Sequence, residues 1–143
     1  MQKESGPHLT VYSDGASRGN PGPAAIAGEI SSENGALLKA FSRFLGKRTN
    51  NEAEYEALIA ALEIARHLTD DQVDCFLDSE LVVKQLNGEY RVRNPRLRRL
   101  WEKTCELCKS FSSVSFNHAL RRNEHIDRVD SQANSVLDKV LGQ

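Results

Sequence analysis

The chain has 143 residues, 39% hydrophobic and 27% charged, with a formal net charge of −1. That is enough chain for one domain with its own core, and the charge balance excludes a globally basic nucleic-acid coat, so any nucleic-acid surface has to come from local clustering. No apolar run approaches the ~20 residues needed to span a bilayer, and residues 1–8 carry no apolar signal segment, which points to a cytoplasmic protein with no membrane partner.

Residues 1–8 read as a flexible leader, and 9–141 as a single domain without repeats or linkers. Leu9 to Asp14 reads as a strand stopped by Gly15, followed by the turn cluster Gly19-Asn20-Pro21-Gly22-Pro23. Ala24–Ser31 and Leu37–Leu45 read as two further strands around a Glu33-Asn34-Gly35 hairpin turn. The period then changes. Leu58, Ile59, Leu62 and Ala65 recur at helical spacing within Asn51–Leu68, with Asn50 or Asn51 as the expected cap. Val73–Leu77 is a short apolar run, read as a buried strand. A short helix over Ser79–Leu86 ends at Asn87-Gly88, and Asn94-Pro95 opens another. Leu97, Leu100, Trp101, Thr104, Leu107, Cys108 and Phe111 line its apolar face. Val114–His118 is the last strand, and Val129, Ala133, Val136, Leu137 and Val140 line the final helix. Hairpins give antiparallel pairs and strand–helix–strand units give parallel ones. The predicted fold is therefore α/β, a mixed five-stranded sheet with helices on both faces.

The cysteines are Cys75, Cys105 and Cys108. An odd number argues against a disulfide framework. Cys105 and Cys108 form a CxxC, but no second ligand pair accompanies it, and its place on an amphipathic helix predicts core packing.

Asp14 and Asp78 each close a predicted strand, so if those strands are parallel neighbours both carboxylates leave the same edge of the sheet. Glu54 sits in the first turn of the helix between them, one turn before Leu58, and Asp130 is placed in the first turn of the last helix. Each acid alone has an ordinary reading as a turn, cap or helix-dipole residue. Their convergence does not, because two unit charges about 4 Å apart repel by ~4 kcal/mol at an effective dielectric of ~20. A cation or protonation has to relieve such a cluster. With no His or Cys cluster beside them, these hard oxygen donors suit Mg²⁺ or Mn²⁺ better than zinc. Lys84, Arg91, Arg93, Arg96, Arg98, Arg99 and Lys103 gather in one stretch with Tyr90 and Trp101 interleaved. A solvated helix face accounts for some of them, through pairs such as Arg98–Glu102, and contact with a phosphate backbone accounts for the clustering.

The motifs resemble those of the type 1 ribonuclease H family, in the short form without a basic handle. Ser13-Asp14-Gly15 through Asn20-Pro21-Gly22 resembles its opening motif, and Thr49-Asn50-Asn51-Glu52-Ala53-Glu54 its Thr-Asn-Asn-x-x-Glu. Leu77-Asp78-Ser79 resembles its Asp-Ser, and Asp130-Ser131-Gln132-Ala133-Asn134 its closing Asp-x-x-Ala-Asn. The resemblance implies an endonuclease that hydrolyses the RNA strand of RNA/DNA hybrids with two Mg²⁺ or Mn²⁺ ions, largely independent of sequence, leaving 5′-phosphate and 3′-hydroxyl ends. Asp14, Glu54, Asp78 and Asp130 would be the catalytic metal ligands, with His118 assisting. Asn20, Asn50, Asn51 and Ser79 would contact the hybrid. A monomer without a small-molecule cofactor is expected.

Two departures bear on this reading. The segment that carries a handle in many members is here only Asn87–Arg93. His118 lies twelve residues before Asp130 and nine before Asp127. Either the loop carries an insertion or Asp127 takes the catalytic place; the Ala133-Asn134 context favours Asp130, and His125 is a second candidate for the assisting histidine. A junction-resolving or transposing nuclease, a hybrid-binding module without activity and a phosphate-loop nucleotide binder are the rival readings. The Thr-Asn-Asn motif, the full set of acids and the lack of a GxxxxGK[ST] pattern argue against them in turn.

Overall fold

A computed structural model describes residues 6–119 and 123–142. The chain runs β1 (Leu9–Ser17), β2 (Gly22–Ser32), β3 (Leu37–Arg48), α1 (Asn50–Ala65), β4 (Gln72–Leu77), α2 (Glu80–Leu86), α3 (Pro95–Cys108), β5 (Ser113–His118) and α4 (Glu124–Val140). The five strands form one sheet in the order β3-β2-β1-β4-β5. The two hairpins pair antiparallel, while β1 with β4 and β4 with β5 pair parallel, as the connections require.

Side-chain alternation along β1 divides the core between two faces. Leu9 and Val11 pack with Tyr55, Leu58 and Leu62 of α1. Tyr12 and Ala16 face Ile126, Val129 and Ala133 of α4. Helix α1 is apolar around most of its circumference because it lies between the sheet and α3, and Ala53, Tyr55, Leu58, Ala61 and Leu62 are all buried. The predicted mixed sheet with helices on both faces is the architecture found.

Several boundaries differ from the sequence reading. Strand β1 does not stop at Gly15; it continues to Ser17, because Gly15, Ala16 and Ser17 go on pairing with Ile26, Ala25 and Ala24. The cap of α1 is Thr49 rather than Asn50 or Asn51. Its Oγ1 accepts from the Glu52 N–H at 3.2 Å, while Glu52 Oε1 accepts from the Thr49 N–H at 3.0 Å, a reciprocal capping box. That helix ends at Ala65, three residues short of Leu68, and α3 ends at Cys108, so Phe111 is buried from beyond the helix. Helix α4 starts at Glu124, capped by Asn123, which moves Asp130 into its second turn rather than its first and puts His125 on the helix rather than in the loop.

The three cysteines are free, and Cys108 packs beside the main core as expected. Residues 6–8, read as leader, are tied to the segment entering β4: the Gly6 N–H donates to Asp70 Oδ1 at 3.3 Å, and His8 Nε2 lies 2.6 Å from Asp74 Oδ2. Residues 1–5 of that expected leader lie outside the described residues. Among the described residues no helix is long and apolar enough to cross a membrane.

Candidate active site

The parallel ladder between β1 and β4 ends at Ser13 and Leu77, so Asp14 and Asp78 are the next residues on neighbouring strands. The sequence placed Asp14 at a strand end; it instead lies where the parallel pairing stops while the antiparallel pairing with β2 continues. Gly15 decides what comes next to it. A Cβ on Gly15 would stand 2.2 Å from the Ala53 carbonyl carbon and 2.6 Å from the Glu54 nitrogen, so the backbone of α1 rests directly on this glycine. The Gly15 N–H donates to Glu54 Oε1 at 3.0 Å. Glu54, in the second turn of α1 rather than the first, is thereby turned towards Asp14.

Both acids are buried, Asp14 at 4% and Glu54 at 3% exposure. Burial first, then a hydrogen bond and repulsion from Glu54, then the same from Asp130, push the Asp14 carboxyl well above the ordinary carboxylate range. Burial likewise raises Glu54 despite its bonds to Asp14 and Gly15, and Asp78 and Asp130 raise it further by repulsion. The four acids proposed from sequence thus sense one another. Asp127 is exposed and is not among the groups that perturb Asp14 or Glu54. The structure brings Asp130 to Asp14. Glu54 Oε2 and the Ser13 hydroxyl are buried and make no hydrogen bond. Among the described residues no three Asp, Glu, His or Cys side chains are arranged, as they stand, to hold a metal ion.

Asp130 is held from its own helix, where Asn134 Nδ2 donates to its carbonyl at 3.0 Å. Arg18, from the opening motif, reaches across to Asn134 Oδ1 at 3.3 Å and Asp138 Oδ1 at 2.7 Å. Sequence reasoning missed this link. Its signal was the four-residue spacing of Asp130, Asn134 and Asp138, which puts all three on one stripe of α4. His118 pairs with Leu77 at the end of β5, and its Nε2 lies 3.0 Å from the Asp78 carbonyl. His125 instead stacks on Tyr12 and contacts Arg128.

The expected substrate residues divide into two groups. Asn20 Oδ1 accepts from the Asn50 N–H at 2.9 Å, which ties the turn after β1 to the start of α1. Asn20 and Asn51 line a groove of ≈ 450 Å³ together with Thr49, Asn94, Arg96 and Arg99. Ser79 lies beside Asp78 as the cap of α2, accepting from the Val82 N–H at 3.2 Å. Arg91, Arg93, Arg96, Arg98, Arg99 and Lys103 are all exposed.

Comparisons agree with this geometry. The foamy viral protease-reverse transcriptase, at 16% identity and a TM-score of 0.71, shares the fold alone. The crystal structure of RNase H1 from Halobacterium salinarum superposes with a TM-score of 0.87 at 42% identity, covering 92% of this chain and 98% of that one. That of LC11-RNase H1 in complex with RNA/DNA hybrid gives 0.86 at 39% identity, covering 93% and 99%. Residues 12–135 match the family described as reverse transcriptase-like. The chain is 41% identical to the ribonuclease HI of Halobacterium salinarum over 138 residues, covering 96% of this chain and 68% of that protein. It is 34% identical to a bifunctional protein of Mycobacterium tuberculosis, of which it spans 35%. The sheet order is that of a ribonuclease H fold. The chain belongs to the type 1 ribonuclease H family.

Proposed function

We propose that the chain hydrolyses the RNA strand of RNA/DNA hybrids at the Asp14 cluster, using two Mg²⁺ or Mn²⁺ ions held by Asp14, Glu54, Asp78 and Asp130. The observation that carries this reading is a pair of buried carboxylates packed against two further acids, with one Glu54 oxygen left without any partner. Two buried carboxylates whose ionised forms are disfavoured by burial and by each other are a poor structural element and a good cation trap. The donor set is all oxygen, which fits Mg²⁺ or Mn²⁺. Burial and mutual repulsion favour the protonated forms of Asp14 and Glu54, so protons and cations compete for these oxygens. When bound, the ions supply an activated water for in-line attack and steady the leaving 3′ oxygen, leaving 5′-phosphate and 3′-hydroxyl ends.

The remaining residues bind and orient. Asn20, Asn50, Asn51 and Ser79 meet the hybrid beside the acids, reading minor-groove shape and the 2′-hydroxyl rather than base identity. Arg96 and Arg99 share the groove with Asn20 and Asn51 and contact phosphates. His118, anchored on the Asp78 carbonyl, assists proton movement or product departure. The protein acts as a cytoplasmic monomer with no small-molecule cofactor.

The test is cleavage of end-labelled RNA/DNA hybrid, RNA/RNA and DNA/DNA with Mg²⁺, Mn²⁺ or chelator. Hybrid alone should be cut, only with metal, and the fragments should carry a 5′-phosphate. A hybrid left whole in both metals would end the proposal.

A further inference from the structure

Glu29 sits on β2, directly opposite Tyr12 of β1, and is only 1% exposed. A carboxylate buried on a sheet face is tolerable only with a partner. Arg128 supplies one from α4 in a two-pronged pair. Its Nε donates to Glu29 Oε2, and its Nη2 donates to Oε1 at 2.7 Å. The same Nη2 lies 3.0 Å from His125 Nδ1. The His125 ring stacks on Tyr12 with centroids 4.3 Å apart and planes 12° from parallel, and Tyr12 stacks on Phe76 of β4 at 5.3 Å. One layer of side chains thus joins β4, β1 and β2 to the first turns of α4.

Two features make this more than packing. Arg128 is two residues from Asp130, and Tyr12 is two residues from Asp14 on the same strand. Ile126, Val129 and Ala133 of α4 also pack on Ala27, Tyr12 and Ala16 of the sheet, and Arg18 ties the far half of the helix through Asn134 and Asp138, leaving the half before Asp130 to the apolar contacts and the Glu29–Arg128 pair. Such apolar contacts are non-directional and let a helix slide along its axis. A guanidinium fork on a carboxylate does not, because both bonds are lost together when either partner shifts. The Arg128 side chain is 47% exposed, and an ion pair so open to water on one side is a weak source of net stability. Stability alone therefore gives no reason for a charged pair here.

We propose that Glu29 and Arg128, backed by the His125–Tyr12 stack, form a brace that fixes α4 against β1 and β2 and so sets the position of Asp130 relative to Asp14. Both are positioning residues that act through Asp130. The inference rests on the metal-site reading given above.

The experiment measures Mn²⁺ binding to the full chain by calorimetry, with the metal-free Tm and the hybrid KM as controls. Arg128→Lys keeps the charge and loses the fork. The double variant Glu29→Gln with Arg128→Met removes both charges and strands neither. Each is expected to fold, to keep the hybrid KM within about twofold, and to need about tenfold more Mn²⁺ for half-saturation, the usual scale for groups that orient metal ligands. A normal Mn²⁺ midpoint in either folded variant would overturn the brace while leaving the metal site intact. If neither variant folds, the pair is a stability element and the brace is rejected. Failure of the unsubstituted protein to bind Mn²⁺ would instead remove the metal site itself, and the brace with it.

Discussion

A carboxylate that is 4% exposed and bonded to a second acid is in an unfavourable place when ionised, and Asp14 occupies that place because of its neighbour in sequence. Asp14→Asn removes one charge and keeps the shape. Turnover on hybrid should fall by about 10³-fold or more, as for other groups that act on the reacting atoms. The metal-free Tm should rise, by about 3 °C for each kcal/mol that burying or protonating this acid costs the folded chain. Parallel cleavage and calorimetry decide it, and a variant that cuts normally would make Asp14 structural. Gly15→Ala tests the neighbour. The added methyl meets the backbone of α1 at 2.2 Å, where no flexible side chain can yield, so β1 and α1 must part. A loss of about 2–3 kcal/mol, read by urea unfolding, is the expected cost of that overpacking, with activity falling further as the Gly15–Glu54 bond opens. Unchanged stability would mean that the two backbones are not in contact.

Helix α4 shows how position on an element selects between two acids, Asp127 and Asp130, that lie three residues apart but point in different directions. Ile126, Val129, Ala133 and Leu137 are its buried residues. At 100° per residue Asp130 lies about 55° from the middle of that face and Asp127 about 115°. Asp130→Asn should therefore reduce cleavage by about 10²-fold or more. Asp127→Asn, on an exposed side, should leave it within about twofold. Equal losses in a side-by-side assay would return the question to the loop. Most of this was legible in the sequence. Local period and turn chemistry suffice for the element order, and the acids that meet at Asp14, like the Thr49 that caps α1, lie within short motifs. What was not legible depends on distant partners. The Glu29–Arg128 pair is separated by 99 positions and Arg18–Asp138 by 120, so no periodicity announces either. Gly15 read as a strand stop because its reason for being glycine is a helix 38 residues further on, a close approach visible only in three dimensions. The fourth acid stayed open because the onset of α4 is set by the Asn123 cap, whose side chain accepts from the His125 and Ile126 N–H groups.

For the molecule as a whole, the acid site ties stability to pH and to metal. Asp14 and Glu54 both have pKa values raised in the folded chain, burial being the first cause for each. The folded state therefore keeps protons that the unfolded chain releases, and stability falls with rising pH wherever that holds. Their contribution is fully present below the free carboxylate range, near pH 4, and is lost as pH climbs through the raised values. Asp74 acts in the opposite sense. Burial raises it, but bonds from Ser115, His8 and Gln72 outweigh that and hold it below its usual value, so its contribution is lost on acidification. In chelator the Tm should accordingly decline from mildly acid to alkaline pH, and Asp14→Asn should flatten that decline without changing the acid limb. Added Mg²⁺ or Mn²⁺ competes with protons for these carboxyls, so the rise in Tm that it produces should grow with pH. Scanning calorimetry across pH 5 to 9, with and without metal, reads both slopes. A metal-free Tm that climbs over this range, or a metal effect that shrinks with pH, would mean that the buried acids are not the groups that hold the proton.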